Sequence, residues 1–347
     1  MKNILNKSEI FQNYGGNLKN DLNKLLDMSD NTDGENCKSS VSNYVSISKL
    51  PEYLSKCHDG FNLLSLNCQS LSSKFDSISL ILEDLRNKCG FQFSVICLQE
   101  TWLKGPTPDV SNFSLPGYQT FALGSTCSLH GGLICYVLEG FSVTLKQNLY
   151  KTSRLWEGLF LEISSENLKP VLLGNIYRPP KNNNNNQTIN DFLTEFDLVT
   201  SEINKINKDI ILVGDFNIDL LKIHERAKYS EFLENLTTLG YLPKITYPTR
   251  YAKKSASLID QIFVKSKHLQ QSSTTSGILF SSTSDHLACF TSFKGVSGIK
   301  KTPKFVTIHT HDTESVNNFK TELSSSNIYN TLNTQLLHDP NDTYDKI

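Results

Sequence analysis

No two of the eight cysteines form a Cys-x-x-Cys pair, and no Cys/His spacing matches a structural zinc site. Several, such as Cys97 and Cys135, lie inside apolar runs, where a free thiol behaves as a small buried hydrophobe. That pattern suits a reducing, intracellular compartment, nuclear or cytoplasmic. Net charge is nearly absent: 34 basic residues stand against 35 acidic ones, for a formal charge of -1. No global field therefore draws the chain to a polyanion, and any such binding must come from a local patch or a metal. No run is long enough to span a bilayer, and the start at Met1–Lys7 lacks the apolar core of a signal peptide. Hydrophobic residues make up only 38% of the 347 positions. The Asn- and Ser-rich ends account for that, so one core is expected in the middle with looser segments outside it.

The organisation expected is a loosely ordered or disordered segment over 1–58, one domain over 59–295, and a polar linker over 296–347. Strands are expected at Asn62–Leu66, Phe93–Leu98, Gly132–Val137, Leu159–Ile163, Val171–Tyr177, Ile210–Val213 and Leu258–Val264. Ile189, Phe192, Leu193, Phe196, Val199, Ile203 and Ile206 recur at helical spacing with Thr188 as cap. Helices are also expected from Phe75 to Leu85, with Ser72 or Ser73 as cap, and from Tyr229 to Leu239, stopped by Gly240. A weak one is expected around Val316 to Leu323. Strands alternate irregularly with few helices, which argues for a mixed α/β sandwich rather than a purely parallel doubly wound sheet.

Polar groups gather at the strand ends: Asn67, Glu100, Tyr177, Asp215 with Asn217, and Ser284-Asp285-His286. Gly214 is read as ending the Ile210–Val213 run in a tight turn, and Asp260 as an acid in the middle of a strand. Such an acid is costly unless paired or near a cation. Glu100, Asp215, Asp260 and Asp285 gathered in one cleft repel each other, and a divalent cation removes the conflict. Hard oxygen donors without thiolates or several histidines point to Mg²⁺ or Mn²⁺ rather than Zn²⁺. Such a site suits a phosphoester attacked by water.

Gln99-Glu100-Thr101, Gly214-Asp215-Phe216-Asn217 and Ser284-Asp285-His286, in this order, resemble the endonuclease/exonuclease/phosphatase superfamily over about residues 60 to 295. More narrowly, Leu98–Leu103, Asn175–Pro180, Val213–Asp219 and Tyr247-Pro248-Thr249-Arg250 followed by Ser257–Asp260 resemble the endonuclease of non-LTR (LINE-type, jockey-like) retrotransposons. The resemblance implies a four-layer α/β sandwich: two packed β-sheets flanked by helices. It implies metal-dependent hydrolysis of double-stranded DNA, nicking a target to leave a 3′-hydroxyl that primes reverse transcription. By resemblance Glu100 is the principal metal ligand, with Asn67 and Asp285 supporting it. Asp215 aligns or deprotonates the attacking water, Asn217 holds the phosphate, and Tyr177 contacts the phosphate or nucleophile. His286 donates to the scissile phosphate and Asp260 orients it. Thr246 and Ser284 are accessory contacts.

Asn67-Cys68-Gln69-Ser70 lacks the acid or Asn followed by Gly that abasic-site enzymes carry after the first Asn, which sets abasic-site specificity aside. The polar tail resembles the linker that precedes a reverse transcriptase, a partner expected with element RNA only in a full-length relative; this chain reads as a truncated or degenerate copy. Plainer readings also apply. Arg250, Lys253 and Lys254 form either a loop contacting DNA phosphates or a solvated basic loop. Trp102 and Trp156 read as core or interface aromatics, and His58 and His130 as ordinary loop residues. The competing functions are a phosphoesterase of the same fold acting on another substrate, and an inactive remnant that only binds nucleic acid.

Overall fold

The computed structural model describes residues 42–55, 60–125, 130–180, 188–252, 255–266, 274–281 and 283–293, with 317–318, 320–322 and 324 of the tail. The chain divides into two units, Met1–Lys300 and Lys301–Ile347. In the second, the described residues near the expected weak helix are helical. His58, Lys253, Lys254 and the lysines at 300, 301 and 304 lie outside the described residues.

Two mixed sheets form the first unit. One runs, edge to edge, Asn43–Ser46, Thr274–Phe280, Ala288–Phe293, Phe61–Asn67, Val95–Gln99, Leu133–Leu138 and Tyr118–Leu123. The other runs Leu242–Pro243, Asp260–Lys265, Asp209–Asp215, Val171–Tyr177, Glu157–Ser164 and Ser142–Leu145, with Lys151–Thr152 also on Glu157–Ser164. Arg250–Ala252 and Ser255–Ser257 make a separate antiparallel pair. Each sheet holds a parallel pair joined by a helix: Phe61–Asn67 and Val95–Gln99 through Leu71–Cys89, and Val171–Tyr177 and Asp209–Asp215 through Ile189–Asn204. Parallel neighbours need such a crossover. With Ala227–Thr238 beside Ile189–Asn204, the layers are helix, sheet, sheet, helices, the four-layer α/β sandwich expected.

The pleat sorts the side chains. Phe61, Leu63, Val95 and Cys97 join the core between the sheets, while Leu64, Leu66, Ile96 and Leu98 turn outward beneath Ile78 and Leu85 of the long helix. Behind the second sheet, Phe192, Phe196, Phe216, Phe232 and Phe263 form a chain of ring contacts 5.1–6.2 Å apart. Each buried ring contributes about 1.5–3 kcal/mol. Polar bonds cross between the sheets. The Gln99 Nε2 donates to Asn175 Oδ1 at 2.6 Å, and Asn175 Nδ2 donates to the carbonyls of Leu98 and Ile134 at 3.2 Å.

Several expectations are corrected. Residues 42–55, expected to be loosely ordered, carry the Asn43–Ser46 strand, parallel to Thr274–Phe280, and bury Val45, Leu50 and Leu54. Their few apolar residues are spaced to cover one sheet edge. The long helix begins at Leu71, so Ser72 and Ser73 lie in its first turn and its cap position is Ser70, without a side-chain bond. Gly214 does not end its strand, which runs to Asp215; a Cβ there would lie 1.8 Å from the Ile176 carbonyl oxygen. Asp260 opens its strand rather than interrupting it. Trp156 is buried, but Trp102 is 44% exposed and is no core residue. Thr188 does cap its helix, in a reciprocal box with Asp191. Among the described residues, no helix is long and apolar enough to cross a membrane.

Candidate active site

Asn67, Tyr177 and Asp215 each end a strand of one of the two crossover units, and Glu100 follows the end of another. Carboxyl ends of parallel strands are where open α/β sheets expose polar groups. Here two such ends, one per sheet, face each other. Asn67 joins them: its Nδ2 donates to Glu100 Oε1 at 2.7 Å and across the sandwich to Asp215 Oδ2 at 2.9 Å. Register sets Tyr177 and Asp260 on either side of Asp215.

The backbone around this junction is unusual. Every described non-glycine residue with positive φ lies in these loops: Gln69 (47°), Ser70 (90°), Glu100 (51°), Trp102 (62°) and Asn217 (47°). Left-handed backbone costs a non-glycine residue free energy and persists only where the surroundings enforce it. At Asn217 the enforcement is visible. Its amide N–H donates to Asp215 Oδ1 at 2.9 Å, and its Nδ2 donates to the Arg178 carbonyl at 2.7 Å and to Asp215 Oδ2 at 3.2 Å. Both Nδ2 donors are thus engaged, so Asn217 holds Asp215 in place.

Asp215 is fully buried. Burial raises its pKa, and the charge of Asp260 raises it further; His286, Asn67 and Asn217 only partly offset them, leaving it at about 7. The His286 ring is buried too. Its Nδ1 faces both oxygens of Asp260 at 2.9 and 3.0 Å, and its Nε2 lies 3.9 Å from Asp215 Oδ2 and from Asp285 Oδ1. Burial lowers the pKa of this imidazole, but the charges of Asp260, Asp215 and Asp285 outweigh it and raise it to about 9. At neutral pH the ring is a cation. Asp260 also accepts from Thr249 Oγ1 at 2.6 Å.

Ligand-type atoms of Asp215, Asp260 and His286 lie within 4.8 Å of one another, a buried acid and imidazole cluster. The field of Asp260 keeps the imidazole protonated, and Asp260 is already committed to it and to Thr249. Those two act as an ion pair. The donors that fit a hard cation are oxygens: Glu100, buried, and Asn67 Oδ1, which among the described residues accepts from the Gln69 amide at 3.2 Å. A cation there would also relieve the proximity of Glu100 to Asp215 that Asn67 now bridges.

Residues 64–286 match the model of the Endonuclease/Exonuclease/phosphatase family. The chain belongs to this family. Solved structures of similar fold include the endonuclease domain of TRAS1, a telomere-specific non-LTR retrotransposon. It is 17% identical with a TM-score of 0.50, over 68% of this chain and 98% of that one. The AP endonuclease LMAP from Leishmania major is 14% identical with a TM-score of 0.51, over 67% of this chain and 87% of that one. The 3'-5' exonuclease NExo from Neisseria meningitidis is 15% identical with a TM-score of 0.50, over 67% of this chain and 99% of that one. At these identities they support the fold. No curated protein matches by sequence.

Within this endonuclease/exonuclease/phosphatase fold, not every residue singled out joins the cluster. Ser284 does: its Oγ accepts from the His286 amide at 3.2 Å and donates to Gln69 Oε1 at 3.4 Å. Asp285 lies at the rim, 40% exposed at its side chain, and Arg250 holds its Oδ2 at 2.9–3.0 Å. Arg250 is therefore paired with an acid of the site rather than a bare basic residue. Thr246 bonds instead to Ser42, at 2.9 Å between hydroxyls, tying down the segment ahead of the first expected strand. The Tyr177 hydroxyl is buried without a well-formed hydrogen bond. Burial raises its pKa, as do the charges of Glu100 and Asp215, so it remains a neutral donor.

Two contributors have no signal in the sequence beyond a place in a strand or motif. Glu157, opposite Tyr177, accepts from the Gly132 amide at 2.6 Å. The carbonyls of Gly132 and Gly131 in turn accept from the amides of Thr101 at 3.1 Å and Trp102 at 2.8 Å, fixing the turn after Glu100. Glycine is required at both: at φ near 87° a Cβ on Gly131 would meet Glu157 Oε1 at 2.4 Å, and one on Gly132 would meet Thr101 Oγ1 at 2.5 Å. Arg178 is buried, its guanidinium 5.2 Å from the Phe192 ring centre, and Nη1 donates to the Asn217 carbonyl at 3.1 Å. It holds the backbone of the Asp215–Asn217 loop from beneath.

Proposed function

We propose that this chain is a divalent-metal-dependent endonuclease that hydrolyses DNA phosphodiester bonds, of the kind that nicks a target site for retrotransposition. The carrying observation is the pairing of a buried Asp215, with pKa raised to about 7, and a charged His286 3.9 Å away. Near neutral pH the first can accept a proton from water and the second can donate to a phosphoryl oxygen.

Glu100 and Asn67, with Asp285 at the rim, would hold Mg²⁺ or Mn²⁺. Bound there, the cation would offset charge on the phosphoryl oxygens. The remaining work falls to the chain. Asp215, aligned by Asn67 and Asn217, takes the proton of the attacking water as its oxygen bonds to phosphorus. The bond from phosphorus to the 3′-oxygen breaks, the 3′-oxygen takes up a proton, and a 3′-hydroxyl and a 5′-phosphate result. His286, fixed by Asp260, stabilises the charge that builds on the phosphoryl group. Tyr177 offers a neutral hydroxyl beside both carboxylates. The DNA target and the retrotransposon setting rest on the motif order of the sequence and agree with the fold shared with the TRAS1 domain.

The test is nicking of supercoiled plasmid with Mg²⁺ or Mn²⁺, with and without EDTA, followed by mapping of the cut sites. Nicking that EDTA stops and that Asp215→Ala and His286→Ala abolish supports the reading. Intact plasmid alongside hydrolysis of a phosphoinositide, sphingomyelin or RNA would assign the site to another phosphoester. DNA binding without Mg²⁺ or Mn²⁺ uptake would mark an inactive remnant.

A further inference from the structure

The chain has two tryptophans in opposite settings. Trp156 has no exposed surface and packs edge-on against Phe192 and Phe196. Trp102 is 44% exposed and makes no ring contact among the described residues. Its backbone is left-handed at φ 62°, a conformation disfavoured for a bulky residue. Yet the turn is held firmly. The amide donates to Gly131, the preceding amide donates to Gly132, and the next side chain, Leu103, packs on the outer core. The anchors on both sides fix the turn that carries the half-exposed indole.

Location gives this ring a task. Trp102 follows Glu100 by two residues, a reach of at most about 7 Å. A strand of nucleic acid whose phosphate sat at Glu100 would bring bases within range of the indole, because successive phosphates advance by only about 3.4 Å along a stacked strand. In a duplex an apolar ring reaches a base face by wedging into a base step and partly unstacking it, and such stacking is tolerant of sequence. Backbone strain collects at sites where pre-organisation serves binding, and a fixed ring loses little freedom when a base stacks on it.

We propose that Trp102 is a stacking platform for a nucleobase close to the scissile phosphate. This rests on the endonuclease reading of the site. It assigns Trp102 to substrate binding and predicts a contact tolerant of sequence, one that adds affinity and register.

The test uses the indole itself. Trp156→Phe leaves Trp102 as the sole tryptophan. Titration with a DNA hairpin in EDTA, which prevents turnover, should quench its emission to saturation, parallel to the anisotropy of a fluorescently labelled hairpin. Trp102→Ala should raise KM for nicking roughly tenfold, a larger change than in kcat, while Trp102→Tyr restores most of the loss. If Trp156→Phe does not fold, iodide quenching of the unmodified protein reads the same event, since only Trp102 is accessible and DNA should shield it. Hairpin binding with unchanged emission and iodide access, or a normal KM in Trp102→Ala, overturns the proposal while nicking and its loss in Asp215→Ala leave the endonuclease reading standing. A protein that neither binds nor nicks DNA overturns both.

Discussion

His286 presents Nδ1 to both carboxylate oxygens of Asp260, and this pair is what keeps a buried imidazole charged at neutral pH. The same Asp260 raises the pKa of Asp215. Burial is the larger cause at Asp215, and Asp260 is the acid that raises both. Activity requires Asp215 without its proton and His286 with one, so kcat/KM should rise and then fall with pH, with both limbs below the metal-free values of about 7 and about 9 because a bound cation lowers both. In Asp260→Asn both pKa values drop. Both limbs should move to lower pH, and the maximum should fall by roughly 10² or more. A pH–rate profile in which only one limb moves breaks the link.

Both pKa values are raised in the folded state, and the sign for stability follows. His286 stabilises the fold fully below its ordinary 6.5, and that contribution is lost as pH rises through about 9. Asp215 binds its proton more tightly when folded, so its contribution is lost as pH rises from its ordinary 3.8 through about 7. The metal-free protein should thus unfold at progressively lower temperature from pH 4 to pH 9 on account of these two groups. His286→Gln together with Asp215→Asn should flatten that slope in calorimetry, and an unchanged slope contradicts the assignment.

Much of this was legible because buried elements write themselves twice, in hydrophobicity and in period. Ile210–Val213 is buried on both faces and reads as a continuous apolar run, and Ile189–Asn204 carries an apolar stripe and a capping residue. Edge strands lack that signature. Tyr118–Leu123 is half-buried along most of its length, and Asn43–Ser46 sits in a polar segment; each exists because a neighbour supplies hydrogen bonds. Site residues at strand ends stand out by chemical type and motif order. Glu157 and Arg178 carry no such signal, because each acts on a loop far along the chain through backbone groups that leave no pattern. Thr246 is an accessory contact by resemblance alone, and its hydroxyl serves Ser42; the threonine of the quoted motif, Thr249, is the one that bonds Asp260.

Glu157 offers a test of indirect support for the metal ligand. Glu157→Gln keeps an oxygen to accept from Gly132. Glu157→Ala leaves that buried amide unsatisfied, at a cost of about 1–3 kcal/mol, and frees the Gly131–Gly132 segment that holds the turn after Glu100. Mg²⁺ or Mn²⁺ affinity by titration calorimetry should weaken roughly 10- to 100-fold in Glu157→Ala and far less in Glu157→Gln. Equal losses in both would point to the charge of Glu157 rather than its hydrogen bond.

Arg178 separates geometry from charge on the other side of the cleft. Its main-chain amide donates to the Asp215 carbonyl at 2.9 Å, its own carbonyl accepts from Asn217, and its guanidinium reaches back to the Phe216 and Asn217 carbonyls at 3.4 and 3.1 Å. Burial lowers the pKa of this guanidinium, against the opposing influence of Tyr229 and Asp215. Arg178→Lys keeps a positive charge near Asp215 but replaces the planar fork with one compact, strongly hydrated group. Arg178→Met keeps the contact over Phe192 and leaves a buried carbonyl, that of Phe216, and a part-buried one, that of Asn217, without this donor. If geometry governs, both variants lose kcat by at least tenfold, because Asn217 no longer holds Asp215 at a fixed angle, and Arg178→Met also loses about 1–3 kcal/mol of stability. If charge governs, Arg178→Lys retains near-normal kcat and only Arg178→Met fails. Single-turnover nicking with a saturating hairpin, beside urea unfolding of each variant, tells these apart, and normal turnover in Arg178→Met removes Arg178 from any part in aligning Asp215.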